Sequence, residues 1–228
     1  MTHAHTAAMG PPAEAAAGSG VYNEKLGMWI FLGSEVMFFT ALIGSYIILR
    51  FAHPVAWAQP GQILNVPVTA INTFFLICSS VTMVKAFAAV QDGDQKGLRL
   101  WLLATVIIGG TFVAIQVFEY VQLVHHGFMP SGYREGAELT EAAKQGVAWK
   151  GGPALPASVG LYGSTFFTMT GFHGFHVTLG VLCMLYVTWQ AFRGKYTTTD
   201  HRGVEVIGLY WHFVDLVWIV LFTIVYLI

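Results

Sequence analysis

Apolar residues fill this chain in five long runs, at about 27–50, 66–90, 98–125, 159–192 and 204–228. Between them, charge, glycine and proline gather. Each run meets the roughly 20 apolar residues that a helix needs to cross a bilayer. The pattern therefore predicts an all-α fold, a polytopic membrane bundle of five transmembrane helices. The fourth run is longer than a crossing requires and should tilt or project into water. Residues 1–23 form a tail rich in Ala, Gly and Pro, without the basic start and apolar centre of a cleaved signal, and read as disordered. Residues 24–228 are then the membrane domain, with its largest extramembrane piece at 126–158. In that loop Leu139, Ala142, Ala143 and Val147 have the spacing of a short helix lying on the membrane surface. Gly151, Gly152, Pro153 and Pro156 break the chain before the fourth run. No internal repeat stands out, which speaks against a transporter built from inverted halves.

The polar positions inside the runs show where the interior is. In the fourth, Tyr162, Thr165, Met169, His173, His176, Gly180 and Cys183 recur at steps of three or four and share a face. An imidazole is costly in lipid, so this face should look into the bundle. Glu35 lies in the first run among Phe31, Leu32, Phe38, Phe39, Leu42 and Tyr46, where desolvation favours a neutral carboxyl. A proton relay and a packing hydrogen bond are both open readings of it. The last run carries Glu205, Gly208, His212 and Asp215 on one line that continues through Phe222 and Tyr226. His212 and Asp215 are three apart, close enough for the acid to hold the imidazole in one tautomer. Gln116 and Glu119 come from the third run, and Thr69, Asn72 and Ser79 from one face of the second.

Composition narrows the function classes. The 228 residues are 55% hydrophobic and 10% charged, far from the quarter charged that is usual for soluble domains. A net charge of -1 provides no basic field for nucleic acid, and that partner is excluded. Cys78 and Cys183 sit in apolar runs, which rules out a disulfide framework and leaves them as small hydrophobes. His3 and His5 in the tail read as solvated residues. Glu35, Glu119, His173, His176, His212 and Asp215 would suffice in number for a di-metal carboxylate site. Such bundles use a Glu-x-x-His pair on each of two helices, and this chain has none. A haem held by one histidine from each of two helices is a further reading with no stronger support.

Five segments occur together in an order that resembles one known family. They are Trp29-Ile-Phe-Leu-Gly-Ser-Glu-Val-Met-Phe-Phe39, Asn72-Thr-Phe-Phe-Leu-Ile-Cys-Ser-Ser80, Tyr162-Gly-Ser-Thr-Phe-Phe167, Thr170-Gly-Phe-His-Gly-Phe-His-Val177 and Tyr210-Trp-His-Phe-Val-Asp-Leu-Val-Trp218. Over about residues 24–228 the chain resembles subunit III of the haem–copper terminal oxidases. The resemblance implies an accessory subunit with no metal of its own, haem and copper being held by partner subunits. The implied partners are the catalytic haem–copper subunit I, the copper-bearing subunit II, a small subunit IV and bound phospholipid. Its implied role is to support proton uptake and the working life of the catalytic subunit in a proton-pumping oxidase of the bacterial plasma membrane. Glu35 matches the family's carbodiimide-reactive intramembrane acid. Glu119, His173, His176, His212 and Asp215 are then packing and hydrogen-bonding groups. The chain looks like the five-helix form, without the first two of seven helices that enclose a lipid cleft. The cytochrome c branch fits the Glu35 segment, whereas His3 and His5 resemble the His-rich tail of quinol oxidase subunits. A free-standing proton-coupled transporter is the alternative from another class.

Lys25, Lys85, Lys96, Arg99, Arg193, Lys195 and Arg202 fall at one end of the five runs, and Arg50, Arg134, Lys144 and Lys150 at the other. The positive-inside rule then predicts a cytoplasmic N-terminus and a periplasmic or extracellular C-terminus. An impermeant thiol reagent on intact cells should label a cysteine placed at residue 145 and spare one placed in the tail. The opposite pattern reverses the orientation.

Overall fold

The computed structural model describes residues 22–52, 64–125, 128–130, 132–133 and 157–227. Five helices long and apolar enough to cross a membrane account for nearly all of them. They are α1 (Asn23–Ala52), α2 (Val66–Gln91), α3 (Gln95–His125), α4 (Ala157–Phe192) and α5 (Arg202–Phe222), the last continuing as a π-helical turn over Thr223–Leu227. Each helix overlaps one apolar run. The sequence pattern did not foretell a ribbon of two-residue strands, β1 (Phe128–Met129) and β2 (Gly132–Tyr133), which are antiparallel and lie against α4. The expected surface helix at 139–147 and most of the expected disordered tail lie outside the described residues.

Local chemistry sets the helix boundaries. Asn65 caps α2 by accepting the Val68 amide, and Pro67 sits in the first turn, where its missing N–H costs nothing. The α2–α3 turn needs Gly93 at φ +79, a left-handed conformation that a side chain disfavours. Asp94 then accepts the amides of Lys96 and Gly97 and starts α3.

Helices α2, α3, α4 and α5 form a four-helix ring, and α1 packs on its outside against α5 and α4. Large apolar side chains such as Ile30, Met37, Ile48, Leu100 and Leu216 point outward, as a lipid solvent allows. Inside, size is matched to space. Trp211 of α5 is buried between Gly109 of α3 and Gly180 of α4, where close approach demands glycine. Its indole N–H donates to Ser79 Oγ at 2.9 Å, and Trp218 donates to Thr73 Oγ1 at 2.9 Å. Two tryptophans thus fix α5 to α2 in depth as well as in rotation.

Within α4 the expected inward face holds for Tyr162, Met169, His173, His176 and Gly180, with Thr165 half-buried. Cys183 departs from it and is exposed. The helical period moves the seam one residue on, so that Met184 and Val187 continue the buried line.

Helix α1 is the least buried of the five. It is strapped at both ends. Tyr22 Oη and Lys25 Nζ meet Glu205 at 2.6 and 2.5 Å, and Arg50 Nη1 reaches the Ile224 carbonyl at 3.4 Å. Burial, with the Glu205 carboxylate beside it, pushes the Tyr22 phenol well above its ordinary range, so that it remains a donor.

A Cβ on Gly109 would lie 2.7 Å from Trp211 Cη2, whereas one on Gly110 meets nothing within 4 Å. Gly109→Ala should therefore lower the thermal midpoint of the solubilised protein, at a cost of about 1–3 kcal/mol for overpacking. Gly110→Ala should leave it unchanged, and equal midpoints for the two variants would contradict the wedge geometry.

Candidate functional site

The candidate acids and histidines of the interior resolve into three contacts and one isolated ring. The first contact is at the seam of α1 and α4. Glu35 Oε2 lies 3.2 Å from His176 Nε2, with both side chains mostly buried. His176 Nδ1 lies 2.7 Å from the Phe172 carbonyl, one turn earlier. A carbonyl only accepts, so Nδ1 carries a proton. The contact to Glu35 therefore needs one further proton, on the acid or on Nε2. With none, two lone pairs would face each other. The geometry defines a pair joined through a proton between Nε2 and Oε2. Phe39 closes over it, edge-on to the imidazole at 5.3 Å. The Tyr210 hydroxyl donates to the His176 carbonyl at 2.9 Å, which ties this turn of α4 to α5.

The second contact lies near the C-terminal end of α3. Glu119 of α3 accepts from Thr69 of α2 at 2.8 Å and from Tyr226 of α5 at 2.8 Å, one donor for each oxygen. Tyr226 belongs to the π-helical turn, whose wider winding sets its position relative to the preceding α-helix. Glu119 thus joins three helices.

The third lies between α2 and α5. Ser80 Oγ is 2.6 Å from Asp215 Oδ2 and 3.1 Å from His212 Nδ1. The i, i+3 spacing of His212 and Asp215 anticipates their proximity. The serine between them, on another helix, carries no signal in the sequence that would reveal it.

His173 stands apart. Its ring stacks on Trp218 at 4.8 Å and meets Phe112 edge-on at 6.3 Å, and neither ring nitrogen has a hydrogen-bond partner among the described residues. The structure therefore separates His173 from Glu35 and His176 in chemistry although it shares their helix face. Among the described residues no group of three or more His, Cys, Asp or Glu gathers as a metal would require.

This fold and interior define a multi-pass membrane protein whose buried acids are each held by residues from neighbouring helices. The family model for cytochrome c oxidase subunit III matches residues 15–127 and 145–228, and the chain belongs to that family. Relatives bearing the name cytochrome c oxidase subunit 3 agree. The protein of Thermostichus vulcanus is 35% identical over 204 residues, 89% of this chain and 86% of its own length. That of Synechocystis is 36% identical over 204 residues, 89% of this chain and 74% of its own. The Corynebacterium diphtheriae protein is 34% identical over 207 residues, 90% and 87% of the two chains. The chain is thus a subunit of an oxidase complex and works beside other oxidase subunits.

Removing one donor from Glu119 leaves a buried oxygen unsatisfied, at about 1–3 kcal/mol. Thr69→Val and Tyr226→Phe should each lower the thermal midpoint of the complex. The double variant should fall short of, or exceed, the sum of the two, because both act on one carboxyl. Strict additivity would show that the two donors do not share it.

Proposed function

We propose that this chain is the accessory subunit of a respiratory cytochrome c oxidase in the bacterial plasma membrane, with its N-terminus in the cytoplasm. Its partners are the catalytic haem–copper subunit I, the copper-bearing subunit II and a small subunit IV. Oxygen reduction takes place in the partners. This chain supports proton uptake, holds phospholipid and prolongs the working life of the catalytic subunit in a proton-translocating complex. It carries no metal. His173, His176 and His212 serve packing and hydrogen bonding, and Glu35 is the proton-related acid.

The observation that carries this reading is the Glu35–His176 pair. Its geometry stores one proton at the α1–α4 seam, where Glu35 keeps 16% of its side-chain surface open. A buried acid joined through a proton to a histidine, with part of its surface open, supports a proton-related role for Glu35. Lipid binding is supported by a groove of about 820 Å³ between α3 and α4, lined by Val117, Val121, Val124, Phe167 and Phe175, with the Tyr120 side at its wall. Its walls are apolar, and acyl chains fill such a space in a bilayer.

The test compares oxidase complexes with and without this subunit, following oxygen consumption over many turnovers at two pH values. The haem spectrum and initial activity should persist without the subunit. Working life should shorten, and the activity deficit should grow at the higher pH, where protons are scarce. Immediate loss of all activity together with a haem or copper signal overturns the accessory role.

A further inference from the structure

The contact between α2 and α5 has a property that simple helix packing does not require. Ser80 has one hydroxyl proton, and two arrangements place it without a clash. In one, His212 Nδ1–H donates to Ser80 Oγ, which donates to the Asp215 carboxylate. In the other, a protonated Asp215 donates to Ser80 Oγ, which donates to His212 Nδ1. The same distances, 3.1 and 2.6 Å, serve both. The three side chains are therefore a short proton wire with two end states.

The wire opens at one end and closes at the other. His212 and Glu205 line a cavity of about 190 Å³ at the α2–α5 seam, whose other walls, Met83, Val84, Phe87, Val204, Gly208 and Leu209, are apolar. At about 30 Å³ each, several waters fit in that volume, and Glu205 and His212 are the polar groups that would hold them. Glu205 in turn is held by Lys25 of α1 and by Tyr22, the residue just before that helix, at the end of the bundle. At the other end, Asp215 is buried, and its Oδ1 has no hydrogen-bond partner among the described residues. A carboxylate with one bare oxygen is costly inside a membrane protein, and a proton delivered to it removes the charge.

We propose that His212, Ser80 and Asp215 form a proton-uptake relay, in which water in the cavity beside Glu205 supplies a proton that Asp215 stores. The step balances without a further reactant. A hydronium in the cavity gives a proton to His212 Nε2. The Nδ1 proton passes to Ser80 Oγ as the Ser80 proton passes to Asp215 Oδ2. The histidine ends neutral in its other tautomer, the serine is unchanged and the aspartate is protonated. The reverse sequence releases the proton. The relay is separate from the Glu35–His176 pair. Its direction, uptake from the Glu205 end, rests on the proposed cytoplasmic N-terminus. The relay itself rests on the contacts of Ser80, so its failure leaves the accessory reading standing.

The experiment follows the carboxyl C=O stretch of the intact oxidase complex by infrared difference spectroscopy, during a pH titration and after transfer to D₂O. A protonated carboxyl band should be present in the wild type and absent in Asp215→Asn. Its deuterium shift should be slowed by about a hundred-fold in Ser80→Ala, the scale set by removing a positioned proton-transfer group. Ser80→Thr, which restores a hydroxyl, should exchange as the wild type does. His212→Phe should slow exchange as Ser80→Ala does. If Asp215→Asn does not assemble, the Ser80 pair still decides, because losing the Ser80 hydrogen bond moves the Asp215 band. Equal band positions and equal exchange rates in Ser80→Ala and Ser80→Thr overturn the relay. So does the absence of an Asp215 carboxyl band throughout the range in which the complex is stable.

Discussion

The seating of Trp211 is the interaction on which the rest of the bundle depends. A helix in lipid gains little from apolar contact, since the solvent is as apolar as its neighbours. Helix α5 is instead fixed by shape and by hydrogen bonds. The Trp211 ring occupies the space left by Gly109 and Gly180, and its N–H finds Ser79. Seven residues later Trp218 repeats the arrangement with Thr73. Once α5 has this depth and rotation, Tyr210 meets the His176 carbonyl, His212 and Asp215 meet Ser80, and Tyr226 meets Glu119. Three helices thus find their polar partners on one element.

Helix α1 follows a different logic. It stands outside the ring and contributes one acid, Glu35, to a seam with α4. Its straps to Glu205 and to the Ile224 carbonyl both end on the α5 strand of the chain. The pair with His176 therefore depends on α5 twice, through the straps that place α1 and through Tyr210, which steadies the turn bearing His176. A shared-proton contact at 3.2 Å tolerates little misplacement, and this double anchoring supplies the needed rigidity.

What was legible in the sequence follows the physics of each feature. The helices could be read because a bilayer imposes a length and an apolar composition on each crossing. The inward face of α4 could be read because His173 and His176 are expensive in lipid. Its drift at Cys183 could not, since steps of three and of four both keep a helical face and only packing selects Met184. The partner of Glu35 lies on a helix distant in sequence, and no local spacing points to it. Ser80 is silent for the same reason: a serine between two apolar helices looks the same whether it bonds its own backbone, as Ser45 does with Ala41, or joins two titratable groups. The strands Phe128–Met129 and Gly132–Tyr133 are too short to leave a periodic signal.

The two proton-bearing contacts near α5 differ in a way that follows from their atoms. At His176 the second ring nitrogen is committed to a backbone carbonyl, an acceptor that never gives a proton back. A proton on Nε2 can go only to Glu35 or to whatever reaches that acid, so the pair stores. At His212 the Nδ1 atom faces a hydroxyl, which both donates and accepts. A proton arriving at Nε2 can displace the one on Nδ1 into Ser80 and onward to Asp215. The same side chain is a dead end beside a carbonyl and a conductor beside a serine. For His176 the choice is made by a carbonyl of its own helix. For His212 it is made by one atom of α2, whose position beside the ring is set by the depth at which two tryptophans hold α5 against α2.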